Sequence, residues 1–462
     1  MSTGPLLPIE LDRRRPLGLQ VEARIRELIR SGGLRPGAAL PSTRALAADL
    51  GLSRGVAVAA YAQLGAEGYI ALRRGAAPTV LALASAAEPM APRAVDVPVA
   101  LARYNLRPDL PDLSLFPRSA WSTAERAVLS RAANTDLAYG EPFGAADLRH
   151  ELAPFLVRTR GLVAAAERTG IHGGSTQALL VVAEALRLDG VRRIGVEDPG
   201  HRWRTRALRA SGLEIVPIPV DEEGLRVDAL DDVDVVVVSP DHHFPSGVAL
   251  APGRRRALVD WAVRGARTIV EHDYDGHFRY DRPPAGALQA LAPEHVVYVG
   301  SASALLAPTL RLGWTVLPAR LVEPVANRMF ATVVAQPRLS QLALAELIRR
   351  GSLDRHLRRA RTAYRRRREL LVAEAAAVVP GSRVPGAPVG LYVSLALPDG
   401  LDEPAILTGA RRRGLALDGI GEHCIRPQPP GLVLGFAASP EPTLRRGLGE
   451  LAASVARTAG DG

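Results

Sequence analysis

The sequence predicts a mixed α/β protein in which a small, mostly helical unit precedes a large domain with a mostly parallel central sheet. Three observations indicate this. The chain has 462 residues, which is more than one hydrophobic core usually holds. Residues 1–80 show helical periodicity interrupted by turn residues. From about residue 104 onward, short runs rich in valine and isoleucine alternate with helical patterns.

Composition limits the classes to which the protein can belong. Hydrophobic residues make up 47% of the chain, which is enough for a packed interior, and no run of about 18 apolar residues indicates a membrane span. The first residues lack a basic start followed by an apolar segment, so we expect no signal peptide. A single cysteine, Cys424, excludes an intramolecular disulfide and fits a reducing compartment. We therefore expect a cytoplasmic protein without a membrane partner.

The basic charge is carried entirely by arginine. The formal net charge is +10, which weakly favours a polyanionic partner. All 58 basic residues are arginine, and the chain contains no lysine. Arginine stays protonated and cannot act as an amine nucleophile. Any reaction that requires a lysine amine is therefore excluded for this sequence.

Residues 1–80 are predicted to contain helices followed by a hairpin. The first helix is indicated by apolar residues at the spacing of one buried face: Val21, Ile25, Leu28 and Ile29. Ser42 or Thr43, and then Ser53, are suitable N-caps for two further helices, and Gly51 ends the first of these. Two short helices joined by such a turn form a helix-turn-helix pattern. The two strand-like runs that follow fit a wing.

The chain beyond this unit is divided by composition. Residues 81–103 are rich in alanine and proline and are predicted to form a semi-extended linker. Residues 104–462 form the large α/β domain, and a smaller C-terminal subdomain is expected from about residue 370. The runs that predict buried parallel strands are RRIGVED, VDVVVVSP, RTIVEHD and HVVYVGS.

Residues 16–80 resemble the GntR-type winged helix of bacterial transcription regulators, through the segment LPSTRALAADLGLSRGVAVAAYAQLGAEGYIALRRG. In such a unit the second helix of the motif enters the major groove of DNA. The resemblance implies contacts to double-stranded operator DNA from Arg44, Ser53, Arg54, Arg73 and Arg74. Any one of these arginines alone is more simply explained as a solvated side chain, but the set at these offsets favours DNA contact. Residues 55–59 lack the polar side chains usual in the family, so we expect fewer side chains to read the bases.

The large domain resembles a fold-type I aminotransferase, a fold whose members bind pyridoxal 5'-phosphate (PLP). A GntR-type winged helix fused to such a domain is the architecture of MocR/GabR-type transcriptional regulators. The resemblance implies a homodimer that binds operator DNA and a small-molecule effector. The segments that carry it, in order, are YNLRPDLPDLSLFP, AYGEPFGAADLRHELAPFL, HGGSTQAL, VEDPG, SPDHHFPSGVAL, VEHDYDGHFRY and VVYVGSASALLAPTLRLGW.

The resemblance implies a phosphate-binding end in this domain. Gly174, Ser175 and Thr176 are expected to precede a helix that begins at Gln177, and they match a phosphate cradle. Ser301 and Arg311 match the family's other phosphate ligands. A structural salt bridge is the alternative role for Arg311.

Further pocket residues follow from the same resemblance. Tyr274 matches the tyrosine that hydrogen-bonds the ring hydroxyl of PLP, and His201 stands where the family tends to place an aromatic residue. His242 and Ser303 complete the predicted pocket.

The positions that carry the chemistry of the family differ in this sequence. Ala304 occupies the position of the Schiff-base lysine, and no other lysine can replace it. His272 occupies the position of the aspartate that pairs with the pyridine nitrogen. A carboxylate there keeps the ring cationic, whereas a largely neutral histidine does not. Asp273 is not expected to take over this role. We therefore predict no covalent cofactor, no catalytic residues and no aminotransferase activity.

Several interpretations remain open. The domain senses another anionic or phosphorylated ligand, or it binds PLP or a PLP–amine adduct non-covalently. Alternatively, the chain is a PLP-dependent MocR-type regulator or aminotransferase-like enzyme whose lysine was replaced by engineering. The first is favoured. The engineered replacement is disfavoured, because His272 and Ala302 depart from the family pattern independently of Ala304. A purely architectural DNA-binding protein is a further alternative, and it predicts that no small molecule changes the affinity for DNA.

Histidines and aspartates cluster in DHH and in EHDYDGH, but we predict no metal site. His272 and His277 are five residues apart, which differs from the spacing of a helical pair of ligands. The simpler interpretation is that these are pocket and loop residues of the fold.

Overall fold

The computed structural model describes residues 7–73, 75–82, 102–108, 110–283, 286–333 and 336–460. The chain divides into two units, Met1–Pro98 and Val99–Gly462. Most of the predicted linker, residues 83–101, lies outside the described residues. The domain boundaries on either side of the linker therefore stay predictions.

The N-terminal unit consists of helices and a short hairpin. Its elements are α1 (Leu17–Arg30), α2 (Thr43–Leu50), α3 (Arg54–Ala66), β1 (Ile70–Ala71) and β2 (Thr79–Val80), and the two strands are antiparallel. Ser42 caps α2, because its side-chain oxygen accepts a hydrogen bond from the backbone N–H of Ala45 at 3.1 Å. Ser53 caps α3 through the backbone N–H of Val56 at 3.4 Å. These elements confirm the predicted helix-turn-helix and wing.

The buried face of α1 agrees with the predicted spacing in all but one position. Val21, Ile25 and Ile29 are buried in the core of the unit, whereas Leu28 is only partly buried at its edge. Helix α2 ends at Gly51, whose φ of 63° lies in the left-handed region that glycine adopts without strain.

The large unit alternates strands and helices. Its strands are β3 (Tyr104–Asn105), β4 (Thr169–His172), β5 (Arg193–Asp198), β6 (Glu214–Asp221), β7 (Gly224–Leu225), β8 (Val235–Val238), β9 (Thr268–Asp273), β10 (Val296–Ser301), β11 (Gly313–Val316), β12 (Tyr392–Ala396), β13 (Leu415–Ala416), β14 (Asp418–Gly419) and β15 (Gly431–Gly435). Its helices are α4 (Arg118–Arg131), α5 (Ala146–Arg160), α6 (Ser175–Leu188), α7 (Arg202–Ala210), α8 (Pro252–Arg264), α9 (Ala302–Leu305), α10 (Ala319–Val333), α11 (Arg338–Arg349), α12 (Ser352–Val378), α13 (Glu403–Arg412) and α14 (Glu441–Gly460).

The central sheet has the strand order β4-β11-β10-β9-β8-β5-β6-β7. Strands β10, β9, β8, β5 and β6 are parallel. Strand β11 is antiparallel to both of its neighbours, and β7 is antiparallel to β6. All of the sequence runs that predicted buried parallel strands lie in this parallel core, so the mostly parallel sheet is confirmed.

Helices cover both faces of the sheet, and β8 shows why its sequence is a run of valines. Val235 and Val237 pack with residues of α6 on one face, whereas Val236 and Val238 pack with residues of α8 on the other. A parallel strand between two helical layers has no solvent-facing side.

A smaller antiparallel sheet, β12-β15-β14, lies in the C-terminal part. The predicted subdomain start at about residue 370 falls inside α12, a continuous helix, and β12 begins only at Tyr392. Strand β13 pairs with β3, so the first strand of the unit belongs with its C-terminal part. Within the described ranges, no helix is long and apolar enough to cross a membrane.

The strand ends position the candidate site. In open parallel sheets, ligands bind beyond the carboxyl ends of the strands. His201 follows β5, His242 follows β8, Tyr274 follows β9, and Ser301 ends β10. The topology therefore brings these sequence-distant residues to one edge of the sheet.

Candidate functional site

A cavity of about 280 Å³ lies at this edge. Most of the predicted pocket residues line it: Ser175, Thr176, His201, His272, Tyr274, Ser301, Ser303, Ala304 and Arg311. It is comparable to the smaller ligand pockets of proteins. Gly174 lies directly behind the lining, and His242 does not line the cavity.

The positive end of the cavity is formed by Arg311 and the N-terminus of α6. Gly174, with φ of 109°, immediately precedes the helix. A Cβ atom on Gly174 would lie 3.1 Å from a terminal nitrogen of Arg311, so the glycine lets the guanidinium approach the helix start. Unpaired backbone N–H groups and a guanidinium together favour an anion.

Arg311 has features of a ligand-binding residue. Its own backbone is left-handed, with φ of 49°, which is uncommon for a residue other than glycine. No described carboxylate lies within ion-pair distance of its side chain. The alternative role of Arg311 as a structural salt bridge therefore finds no partner in the described part of the chain.

Hydroxyl groups accompany this positive end. Ser175 and Thr176 occupy the first turn of α6, while Ser301 ends β10 and Ser303 lies in the short helix α9. Hydroxyls can donate to an anion without adding charge. The arrangement suits a phosphate or a carboxylate.

His272 lines the cavity as a neutral, unpartnered side chain. It is 6% exposed, and neither ring nitrogen has a hydrogen-bond partner among the described residues. Burial, reinforced by the charge of Arg204, lowers the pKa of His272 to about 3. A histidine with this pKa is uncharged at neutral pH, so it offers one donor and one acceptor.

Asp273 does not supply the missing carboxylate. Its carboxylate accepts hydrogen bonds from Arg160 Nε at 2.6 Å and from the Tyr298 hydroxyl at 2.7 Å. The other oxygen accepts from the backbone N–H of Gly276 at 3.0 Å. Burial alone would raise the pKa of Asp273, but Arg160 and these hydrogen bonds outweigh it and lower the pKa to about 2. Asp273 is therefore held by partners outside the cavity lining.

Ala304 is buried in the cavity wall. It lies in α9, directly after the strand that ends at Ser301. Its methyl group offers no nucleophile. Ala304 and His272 thus leave the cavity without an amine and without an ionised carboxylate at these two positions.

The predicted position of His242 requires a correction. Its Nδ1 lies 2.9 Å from the Asp275 carboxylate, and its ring stacks on Tyr392 at a centroid distance of 4.4 Å. The Tyr274 hydroxyl donates to the backbone carbonyl of His242 at 2.8 Å. His242 therefore lies behind Tyr274 and supports it. Sequence reasoning missed this because the deciding partner, Asp275, comes from a different strand end.

The remaining wall is aromatic and apolar. The His201 ring stacks on Phe244 with centroids 4.4 Å apart, and burial together with Arg204 keeps the pKa of His201 well below its usual value. Leu179 of α6 and Leu391 complete this wall. Such a surface suits a planar ring.

Arg204 is a cavity residue that sequence reasoning missed. It is 4% exposed, and it donates to Glu197 at 3.1 Å and to the Ser239 hydroxyl at 3.0 Å. The segment RWRTRALR contains several arginines, which conceals the buried one. Helical spacing gives the signal, because Arg204, Thr205 and Leu208 share the buried face of α7.

Other members of the histidine and aspartate clusters, apart from His272, have structural partners. His277 stacks on Phe155, and His243 contacts the Ser246 hydroxyl at 2.7 Å. Across the described ranges, no group of three or more potential ligands is placed to hold a metal ion.

The N-terminal unit carries a second candidate interface. Arg44, Arg54 and Arg73 are exposed, and none of them forms an ion pair with a described carboxylate. Arg54 is the first residue of α3, directly after its capping residue Ser53. Arg74 lies outside the described residues. The exposed arginines are therefore available to a polyanion.

The outward face of α3 has few polar groups. Gly55, Val58 and Ala59 are exposed, whereas Ala57 and Ala60 face the core. Residues 55–59, which lack polar side chains, thus include the part of α3 that would contact DNA. Small apolar groups there can contact a thymine methyl but cannot hydrogen-bond a base edge.

Comparison with known proteins assigns both parts of the chain. The family described as bacterial regulatory proteins, gntR family, matches residues 17–80. The family described as aminotransferase class I and II matches residues 109–403. An archaeal alanine:glyoxylate aminotransferase has a similar fold, with a TM-score of 0.72 at 24% identity, over 77% of this chain and 91% of that one.

Full-length relatives combine the two parts. The chain is 32% identical to the HTH-type pyridoxine biosynthesis transcriptional regulator PdxR of Corynebacterium glutamicum, over 97% of this chain and 98% of that protein. It is 27% identical to the probable rhizopine catabolism regulatory protein MocR of Rhizobium meliloti, over 96% and 95%. The chain therefore belongs to the MocR/PdxR-type transcriptional regulators, in which a GntR helix-turn-helix domain is joined to an aminotransferase class I and II domain.

Proposed function

We propose that this regulator binds an anionic small molecule non-covalently in its aminotransferase-like domain, and that it catalyses no transamination. The observation that carries the proposal is the composition of one cavity. Arg311, which pairs with no described carboxylate, and the N-terminus of α6 form an anion-binding end. Ala304 and the neutral His272 occupy the positions on which the family's chemistry depends.

PLP fits this cavity only in part. The residues that would hold its phosphate are present, but no amine is available for a covalent link and Asp273 is bound to Arg160. The residues therefore do not fit PLP as a covalent cofactor. Non-covalent binding of PLP or of a PLP–amine adduct remains the second candidate, and the intact anion-binding end favours it. An engineered substitution at Ala304 would leave His272 unexplained.

We further propose that operator DNA is contacted by Arg44, Ser53, Arg54, Arg73 and Arg74. The exposure of Arg44, Arg54 and Arg73, none of which pairs with a described carboxylate, supports this, together with the position of Ser53 and Arg54 at the start of α3. The protein would act in the cytoplasm as a homodimer with paired DNA-binding units. A ligand changes DNA affinity only to the extent that it prefers one arrangement of the dimer.

The absence of chemistry can be tested on purified full-length protein and its Ala304→Lys variant. Both are incubated with PLP, reduced with borohydride and mapped by mass spectrometry, and both are assayed for amino-group transfer. We expect no adduct on a cavity peptide of the unaltered chain. The variant should form an adduct without steady turnover, because His272 does not enforce a cationic ring.

Two outcomes would contradict this account. A reduced adduct within the cavity of the unaltered chain would show that another group replaces the lysine. Sustained transamination by Ala304→Lys alone would show that His272 does not block the chemistry.

A further inference from the structure

His272 and Arg204 together define the electrostatic character of one wall of the cavity. Both line the cavity and both are buried. Arg204 lowers the pKa of His272, although Glu197 pairs with the same guanidinium at 3.1 Å. A cationic group of a ligand placed beside His272 would lie near the Arg204 guanidinium. Asp273 could not pair with that cationic group, because Asp273 is bound to Arg160.

The unpartnered ring nitrogens of His272 indicate that a ligand completes this wall. Both nitrogens lack a hydrogen-bond partner among the described residues. Buried polar atoms in native proteins nearly always have one, because an unmade hydrogen bond is unfavourable. The His201 ring stacked on Phe244 provides a flat surface in the same cavity.

We propose that the cavity selects an anionic ligand with an uncharged aromatic ring, and that His272 determines this selectivity by hydrogen-bonding the ring directly. The inference rests on the proposed function in one respect, namely that a ligand binds in this cavity. The anion is held by Arg311 and the start of α6, while a neutral donor or acceptor on the ring meets His272. A permanently cationic ring is disfavoured, because Arg204 is nearby and the neighbouring carboxylates Asp273 and Glu197 are already paired with Arg160 and Arg204.

A matched pair of probes tests the selectivity. Hydroxybenzyl phosphate has an uncharged ring with a hydrogen-bonding group, and N-methylpyridiniummethyl phosphate has a similar size and a fixed positive charge. Binding to the full-length protein is measured by calorimetry at constant pH. We expect the dissociation constant of the uncharged probe to be at least about tenfold lower, which corresponds to a difference of about 1.4 kcal/mol in binding free energy.

Substitutions at His272 separate ring recognition from anion recognition. His272→Asp should favour the cationic probe, and His272→Asn should keep the original order, because its amide is neutral. Arg311→Ala should weaken both probes to a similar extent. If His272→Asp does not fold, as judged by its melting curve, His272→Leu provides the test. In that variant hydroxybenzyl phosphate should lose its advantage over benzyl phosphate.

The inference is overturned if the unaltered protein binds both charged and uncharged rings equally, or if neither probe binds. It is also overturned if the preference is unchanged in both His272→Asp and His272→Leu. Equal binding of both rings and an unchanged preference in the variants concern ring selectivity alone, whereas the failure of both probes to bind also counts against ligand binding in this cavity. The proposed regulatory function fails separately, when a bound probe leaves the DNA affinity unchanged.

Discussion

At the scale of single residues, the resemblance to PLP enzymes implies that this site differs from theirs at the positions that hold charge and nucleophile. His272 stands where a carboxylate is expected, and the adjacent Asp273 is part of a buried ion pair with Arg160. Asp241 pairs with the same guanidinium. Arg160 thus fixes the strand ends behind the cavity, and its carboxylate partners are unavailable to a ligand. We propose that the chemical difference between this chain and an aminotransferase lies in a few side chains, because the fold itself is similar.

Asp273→Asn tests the structural role of this ion pair. The substitution leaves the buried Arg160 with one carboxylate fewer, so we expect a loss of about 3 kcal/mol in the free energy of unfolding, measured by urea denaturation. Asp354→Asn is the matched control. Asp354 pairs with the exposed Arg158 at 2.9 Å, and such surface pairs contribute about 0–1 kcal/mol.

The same pair contributes a pH dependence with a defined sign. The pKa of Asp273 is lowered to about 2 in the folded state, against about 3.9 in an unfolded chain. Its stabilisation is therefore complete above about pH 4 and is lost as the pH falls towards 2.

Equal losses of unfolding free energy from Asp273→Asn and Asp354→Asn would contradict the assignment of Asp273 to a buried ion pair.

At the scale of elements, α3 is the candidate recognition helix. Arg54 stands at its start with no carboxylate partner among the described residues, while Gly55, Val58 and Ala59 leave its outward face almost without hydrogen-bonding groups. Few side chains of α3 can therefore hydrogen-bond the bases, and we expect Arg54 to contribute a large part of base recognition.

Arg54→Ala should weaken binding to a DNA fragment selected in vitro by the full-length protein. We expect a loss of about 1–3 kcal/mol, as for one arginine that reads a base, with the oligomeric state unchanged. Arg24→Ala is the control, since it removes the same charge from α1, where Arg24 pairs with Glu27 at 2.5 Å. Fluorescence anisotropy at fixed salt measures both variants. Unchanged affinity in Arg54→Ala, or an equal loss in both, would refute the role of Arg54.

The elements also show how far the sequence could predict the structure. Valine-rich runs identified the parallel core, because strands buried on both faces tolerate few polar residues. The small residues Gly174 and Ser175 at the start of α6 led to the prediction of an anion-binding end, because such residues before a helix leave its N–H groups accessible. Both signals are local in the sequence; the parallel core is confirmed, and the anion-binding end stays a prediction.

Residues placed by distant partners could not be predicted in this way. His242 follows a strand end as expected, but its ring contacts Asp275 and Tyr392 and does not line the cavity. Leu391 reaches the cavity from a segment far along the chain, next to β12. Arg204 was obscured by neighbouring arginines, and only the helical period distinguishes it from them.

At the scale of the whole molecule, one chain holds a DNA-binding domain and a proposed sensor cavity. The GntR helix-turn-helix domain and the aminotransferase class I and II domain are both present, as they are along the whole length of the PdxR relative. A cavity that binds without reacting can still regulate, because coupling depends on differential affinity between states and requires no chemical step.

The most direct test of this claim is the DNA affinity of the full-length protein with and without saturating hydroxybenzyl phosphate. Anisotropy is measured on the selected DNA fragment, in the unaltered protein and in Arg311→Ala. The account predicts that the probe changes the dissociation constant for DNA by about 5-fold or more, as for a typical coupling free energy, and that Arg311→Ala abolishes the change. A bound probe that leaves the DNA affinity of the unaltered protein the same would contradict the central claim.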